Sequence, residues 1–119
     1  MGYTADIDIE EITPLHEVRS PKHLKELVAS MQENRWSGRP ILVIERSHDY
    51  LAWTGSHRIP AAQKAGFSSI PCYVIQEEDL ISHGFDGEWG HVQDYERLEI
   101  IKKLGDETAL HIMWQEGRI

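Results

Sequence analysis

Gly55, Ser56, His57 and Arg58 stand together where an apolar run ends and a helical pattern begins. A phosphate at the start of a helix meets free backbone amides and the positive end of the helix dipole, and a glycine lets the main chain come close. Ser56 adds a hydroxyl donor. His57 donates one hydrogen bond when neutral and carries charge when protonated, and Arg58 offers a rigid fork matched to phosphate oxygens. The same residues also read as a structural turn, with Ser56 capping the helix, His57 bonded to a backbone carbonyl and Arg58 paired with a surface acid. Local sequence divides these two readings evenly. The turn is not a P-loop, because the glycine spacing and the lysine of that motif are absent.

Other reactive side chains carry less. The single cysteine, Cys72, excludes an internal disulfide and a multi-cysteine zinc site, and its apolar surroundings predict a buried, inert thiol. His48 and Asp49 read as hairpin-turn residues rather than a metal pair, and His83 and His91 stay unassigned. Glu88 sits in a stretch spanning residues 84–91 that holds Gly84, Phe85, Gly87, Trp89 and Gly90. This stretch suits either a flap over a site or an ordered connection pinned by its aromatics.

The corner needs elements to hold it. Ile7, Ile9 and Ile12 alternate imperfectly with acidic residues and predict a short strand or extended lead-in, stopped by Pro14. Ser20 and Pro21 open a helix over 21–33, with Leu24, Leu27, Val28 and Met31 on one face. Pro40 to Glu45 and Tyr50 to Thr54 predict a hairpin, and Ile41, Leu42, Val43 and Ile44 are too uniformly apolar for a strand with one wet face. Gly55 permits the exit into a short helix reaching Ala65, in which Pro60 is tolerated only in the first turn. Gly66 is its left-handed terminus, and Ile70 to Ile75 form the next strand. A helical turn is expected at Glu77, Glu78 and Asp79. A longer helix ends near Gly105, and a last one, capped by Asp106, carries Leu110, Ile112, Met113 and Trp114.

The chain has 119 residues, enough for one domain (1–119) with its own core. Twenty acidic against twelve basic side chains give a net charge of -8, and the basic residues form no run. Such a balance argues against a broad DNA- or RNA-binding face, so direct nucleic-acid binding is not expected, whereas a small site for a free nucleotide needs only one or two cations. Neither a signal peptide nor a long apolar run is present, so a soluble cytoplasmic protein without a membrane partner is expected.

Residues 7–75 resemble the ParB/sulfiredoxin superfamily. The resemblance rests on the order ITPLHEV, HLKELVASM, PILVIE, YLAW, GSHR and IPAAQKAGFSSIPCYVI. It implies an α+β fold, a compact mixed sheet with packed helices, and leaves 76–119 as a loop and C-terminal helical segment. In sulfiredoxins the turn reads Gly-Cys-His-Arg, with the His-Arg part contacting ATP phosphates and the cysteine serving sulfinic acid repair. Ser56 replaces that cysteine and cannot do its chemistry. In chromosome-partitioning ParB proteins the turn is Gly-Glu-Arg-Arg within a CTP-binding, dimerising domain followed by a DNA-binding domain. Gly55 and Arg58 match its ends.

A third branch of the superfamily contains kinases acting on free serine, and there the resemblance implies Glu17 as the base, with His57 and Arg58 stabilising the transferred phosphoryl group. Glu17 read alone favours a solvated acid before a helix, and the resemblance brings the two readings level. The cofactor so implied is a nucleotide (ATP, ADP or CTP), bound at Gly55, Ser56, His57 and Arg58, with Mg²⁺ held largely by phosphates and water. Asp8, Glu10 or Glu11 could add a carboxylate, and nothing selects among them. The leading expectation is a nucleotide-binding phosphotransferase or hydrolase acting on a small hydroxyl substrate. The alternatives are a noncatalytic nucleotide-sensing or protein-interaction module and a ParB-like DNA-associated protein.

Overall fold

The run Ile41 to Ile44 forms the middle strand of a five-stranded sheet. The computed structural model of the chain describes residues 2–15, 21–36, 38–55, 57–85 and 94–115. Its strands are β1 (Tyr3–Asp8), β2 (Ile12–Thr13), β3 (Ile41–Glu45), β4 (Tyr50–Ala52) and β5 (Ser69–Gln76). The helices are α1 (Pro21–Asn34), α2 (Arg58–Lys64), α3 (Glu77–Ser82), α4 (Asp94–Leu104) and α5 (Glu107–Gln115). The strand order is β1-β5-β3-β4-β2. β5 runs antiparallel to β1 and parallel to β3, while β4 runs antiparallel to β3 and parallel to β2. The expected α+β class with a mixed sheet and packed helices is what the chain adopts.

Both faces of this sheet are covered, which is why β3 has no polar alternation. Ile41 and Val43 face Leu24 and Met31 of α1 and Ile59, Ala61 and Ala62 of α2. Leu42 and Ile44 face Leu80 of α3, Ile101 of α4, and Ile112 and Met113 of α5. These four side chains of β3 are fully buried. The small side chains of Ala61 and Ala62 let α2 lie close to the sheet, and α2 ends as Gly66 takes φ +93. There Phe67 N–H bonds Ala62 C=O at 3.0 Å and Gly66 N–H bonds Gln63 C=O at 3.2 Å, the paired closure of a left-handed helix terminus.

The lead-in is more divided than the alternation predicts. Asp8 ends β1, and its carboxylate accepts the Glu10 N–H at 3.1 Å to start a 3-10 turn over Ile9–Glu11 before β2 resumes. A local aspartate cap thus competes with the strand ladder. Ile7, Ile9 and Ile12 all still reach the core under α1 and α2. At the hairpin, Arg46 and Asp49 close the turn through a backbone bond of 2.8 Å and a bidentate ion pair, leaving His48 exposed. Among the described residues, no helix is long and apolar enough to cross a membrane.

Candidate functional site

The corner is built where β4 leaves the sheet. Trp53 N–H still donates to Leu42 C=O at 2.8 Å, and then the buried hydroxyl of Thr54 accepts the Leu42 N–H at 2.9 Å in place of a main-chain carbonyl. With the ladder closed by a side chain, the main chain is free to turn. Gly55 turns it with φ +81, and its carbonyl accepts the Ile59 N–H at 3.0 Å as the first turn of α2 winds. A Cβ at Gly55 would collide with the side chain of Ile41, so both the backbone sign and the space demand glycine here.

His57 is the residue before α2, half-buried, with its ring edge-on to the ring of His23 on α1, centroids 5.1 Å apart and planes at 71°. Arg58 opens α2. One of its terminal nitrogens donates to the backbone carbonyl of Arg39 at 2.9 Å, and its Cζ lies over the Trp36 ring, 5.2 Å from the centroid. A backbone carbonyl and an indole are therefore among the partners of Arg58. The structure thus gathers His23, His57, Arg58, Trp36 and the Arg39 backbone around one turn. Ser56 and Glu17 lie outside the described residues, as do the helix-capping Ser20 and residues 86–91 of the glycine-spaced stretch.

His23, Trp36 and Arg39 were missed by sequence reasoning. His23 carries the clearest signal, at the third position of a helix whose N-terminus the sequence places. Trp36 and Arg39 sit in the connection between α1 and β3, and nothing in their spacing points to Arg58. Trp36 also forms a wall of a groove of about 630 Å³ lined by Arg35, Phe67, Ser68 and Asp6, away from the turn itself.

Cys72 cannot supply a thiolate. It is fully buried, and burial, aided by the Asp6 carboxylate and opposed by Arg58, pushes its thiol up to about 12. Among the described residues no group of three or more His, Cys, Asp and Glu side chains is placed to hold a metal ion.

A mixed sheet flanked by helices, with a glycine-led turn opening a short helix, defines an α+β domain of the ParB/sulfiredoxin class. The sequence matches the family model of the ParB N-terminal domain over residues 3–83, and the chain belongs to that family. Comparison with curated proteins gave no match. Sulfiredoxin from Arabidopsis thaliana is 28% identical at a TM-score of 0.55, covering 68% of this chain and 96% of its own. A free serine kinase mutant in complex with AMP is 23% identical with a TM-score of 0.53, covering 60% of this chain and 30% of its own. C-terminally truncated ParB from Caulobacter crescentus, complexed with CTP-gamma-S, is 21% identical with a TM-score of 0.55, covering 90% of this chain and 65% of its own. This chain thus spans nearly all of the sulfiredoxin but less than a third of the kinase.

The same Caulobacter protein complexed to the centromeric parS site matches at 19% identity and a TM-score of 0.53, covering 92% of this chain and 69% of its own. That finding corrects the expectation that direct nucleic-acid binding is unlikely. Net charge sums the whole surface, whereas phosphate contacts depend on where the cations stand, and this fold occurs in a protein bound to DNA.

Proposed function

We propose that this chain is a ParB-like module of a DNA-associated protein and that its Gly55–Arg58 corner binds the phosphates of a nucleotide. The observation that carries the reading is the family match over residues 3–83, which includes the whole corner. The complexes of Caulobacter ParB with CTP-gamma-S and with parS support both halves of it. The chemistry of the corner fits a phosphate: a glycine backbone open to close approach, a guanidinium, and two imidazoles that become cationic on protonation. Mg²⁺ would arrive with the nucleotide, held by phosphate oxygens and water. Sulfiredoxin chemistry does not carry over, since Ser56 replaces the cysteine and Cys72 is buried.

The test is binding of CTP, ATP and ADP with Mg²⁺, followed by duplex DNA at low ionic strength with and without the bound nucleotide. Nucleotide binding and a DNA complex that weakens as salt rises are the expected results. DNA that fails to bind in either condition would remove the DNA-associated half. Product formation is read in the same samples: turnover abolished by Glu17→Ala with binding intact would mark phosphotransfer or hydrolysis. Binding without turnover would mark a nucleotide-sensing module.

A further inference from the structure

We infer that Trp36 is a positioning residue that holds Arg58 ready for phosphate, an inference that rests on the phosphate-binding reading above. Arg58 is a long side chain whose rotamer freedom must be lost before its fork can grip an anion. A guanidinium held in advance loses less on binding. The Arg39 carbonyl at 2.9 Å and the Trp36 ring, over which Cζ sits 5.2 Å from the centroid, help to hold it. The ring contact consumes no particular N–H donor. An indole is the strongest of the aromatic partners for such a cation.

Trp36 is itself fixed. Its ring packs against the core cluster beneath α1 and α2. Just before it, Arg35 takes φ +58, a left-handed conformation more usual for glycine or asparagine, while its N–H bonds Met31 C=O at 2.9 Å. The end of α1 therefore sets the direction in which the chain presents the indole. Helix terminus, indole and guanidinium form one mechanical series leading to the corner.

The experiment compares Trp36→Phe, which keeps an aromatic face, with Trp36→Leu and Trp36→Met, which keep apolar bulk without one. Each is first checked for folding by circular dichroism. Binding of CTP and ATP with Mg²⁺ is measured by calorimetry, and the Arg58 side-chain Nε–H resonance is followed by NMR, assigned through Arg58→Ala. The expected result is a Kd about threefold to tenfold higher in the Leu and Met variants, with Phe close to the wild type. The Arg58 resonance should carry a ring-current shift in the wild type that Leu and Met abolish. Folded Leu or Met variants that bind as the wild type does, while Arg58→Ala loses binding, would overturn this inference alone. A wild-type chain that binds no phosphate compound would overturn the phosphate reading, and this inference with it.

Discussion

On the proposed reading Arg58 serves both the fold and the ligand. Its bond to the Arg39 carbonyl ties α2 to the connection ahead of β3, so Arg58→Ala should reduce stability as well as phosphate affinity. A lost hydrogen bond from a charged donor costs about 1.5–3 kcal/mol, which predicts a Kd at least about tenfold higher in calorimetry. Gly55→Ala should also damage the fold, lowering urea stability by about 1–3 kcal/mol, because its Cβ meets Ile41 and φ is positive. Away from the corner, Arg46 hydrogen-bonds Asp49 and holds that carboxyl below its ordinary 3.8, against the opposing effect of burial. A depressed folded value contributes stability above 3.8 that is lost as pH falls through the folded value. Asp49→Asn should therefore flatten the acid limb of the stability profile, measured by urea unfolding between neutral pH and strong acid. An unchanged acid limb would mean that the pair contributes nothing to folding.

At the scale of elements, the C-terminal helices are locked to the sheet by one polar centre. Tyr73 of β5 donates from its hydroxyl to both carboxylate oxygens of Asp106, at 2.7 and 2.9 Å. Asp106 in turn accepts the Ala109 N–H at 3.1 Å, capping α5, and the Gly2 N–H at 3.2 Å. Burial and then the Asp106 contact push the Tyr73 phenol from 10.0 up to about 12. The raised value means a contribution fully present below pH 10 and lost as pH rises toward 12. Tyr73→Phe should cost about 1–2 kcal/mol at neutral pH and remove part of the alkaline destabilisation in thermal melts. The Asp106 cap was legible in the sequence because Asp before a helical pattern has a local cause. Its bond to Tyr73 was not, since residues 33 apart are brought together only by packing. The same contrast runs through the site: Gly55 and the start of α2 follow from local rules, whereas His23, Trp36 and the Arg39 carbonyl meet the turn through the α1–α2 arrangement. The divided lead-in was hidden for a smaller reason, a competition between the Asp8 cap and strand pairing.

For the whole molecule, the decisive feature is a sheet with two dry faces. Helices α1 and α2 cover one and α3, α4 and α5 the other, and the uniform run Ile41 to Ile44 is the sequence signature of this arrangement. Removing residues 77–119 would expose Leu42, Ile44, Leu51 and Trp53, and the shortened chain should aggregate or lose its cooperative melt. Overall acidity was the least informative feature, because a sum of -8 says nothing of the few cations and donors at one turn. Phosphate binding at that turn is the property to measure. Calorimetric titration of CTP and ATP with Mg²⁺ into the wild type and into folded Arg58→Ala tests it most directly. Saturable binding to the wild type is expected, with a Kd at least about tenfold higher in the variant; equal affinity in the two proteins, or no binding to the wild type, would rule out phosphate binding by Arg58.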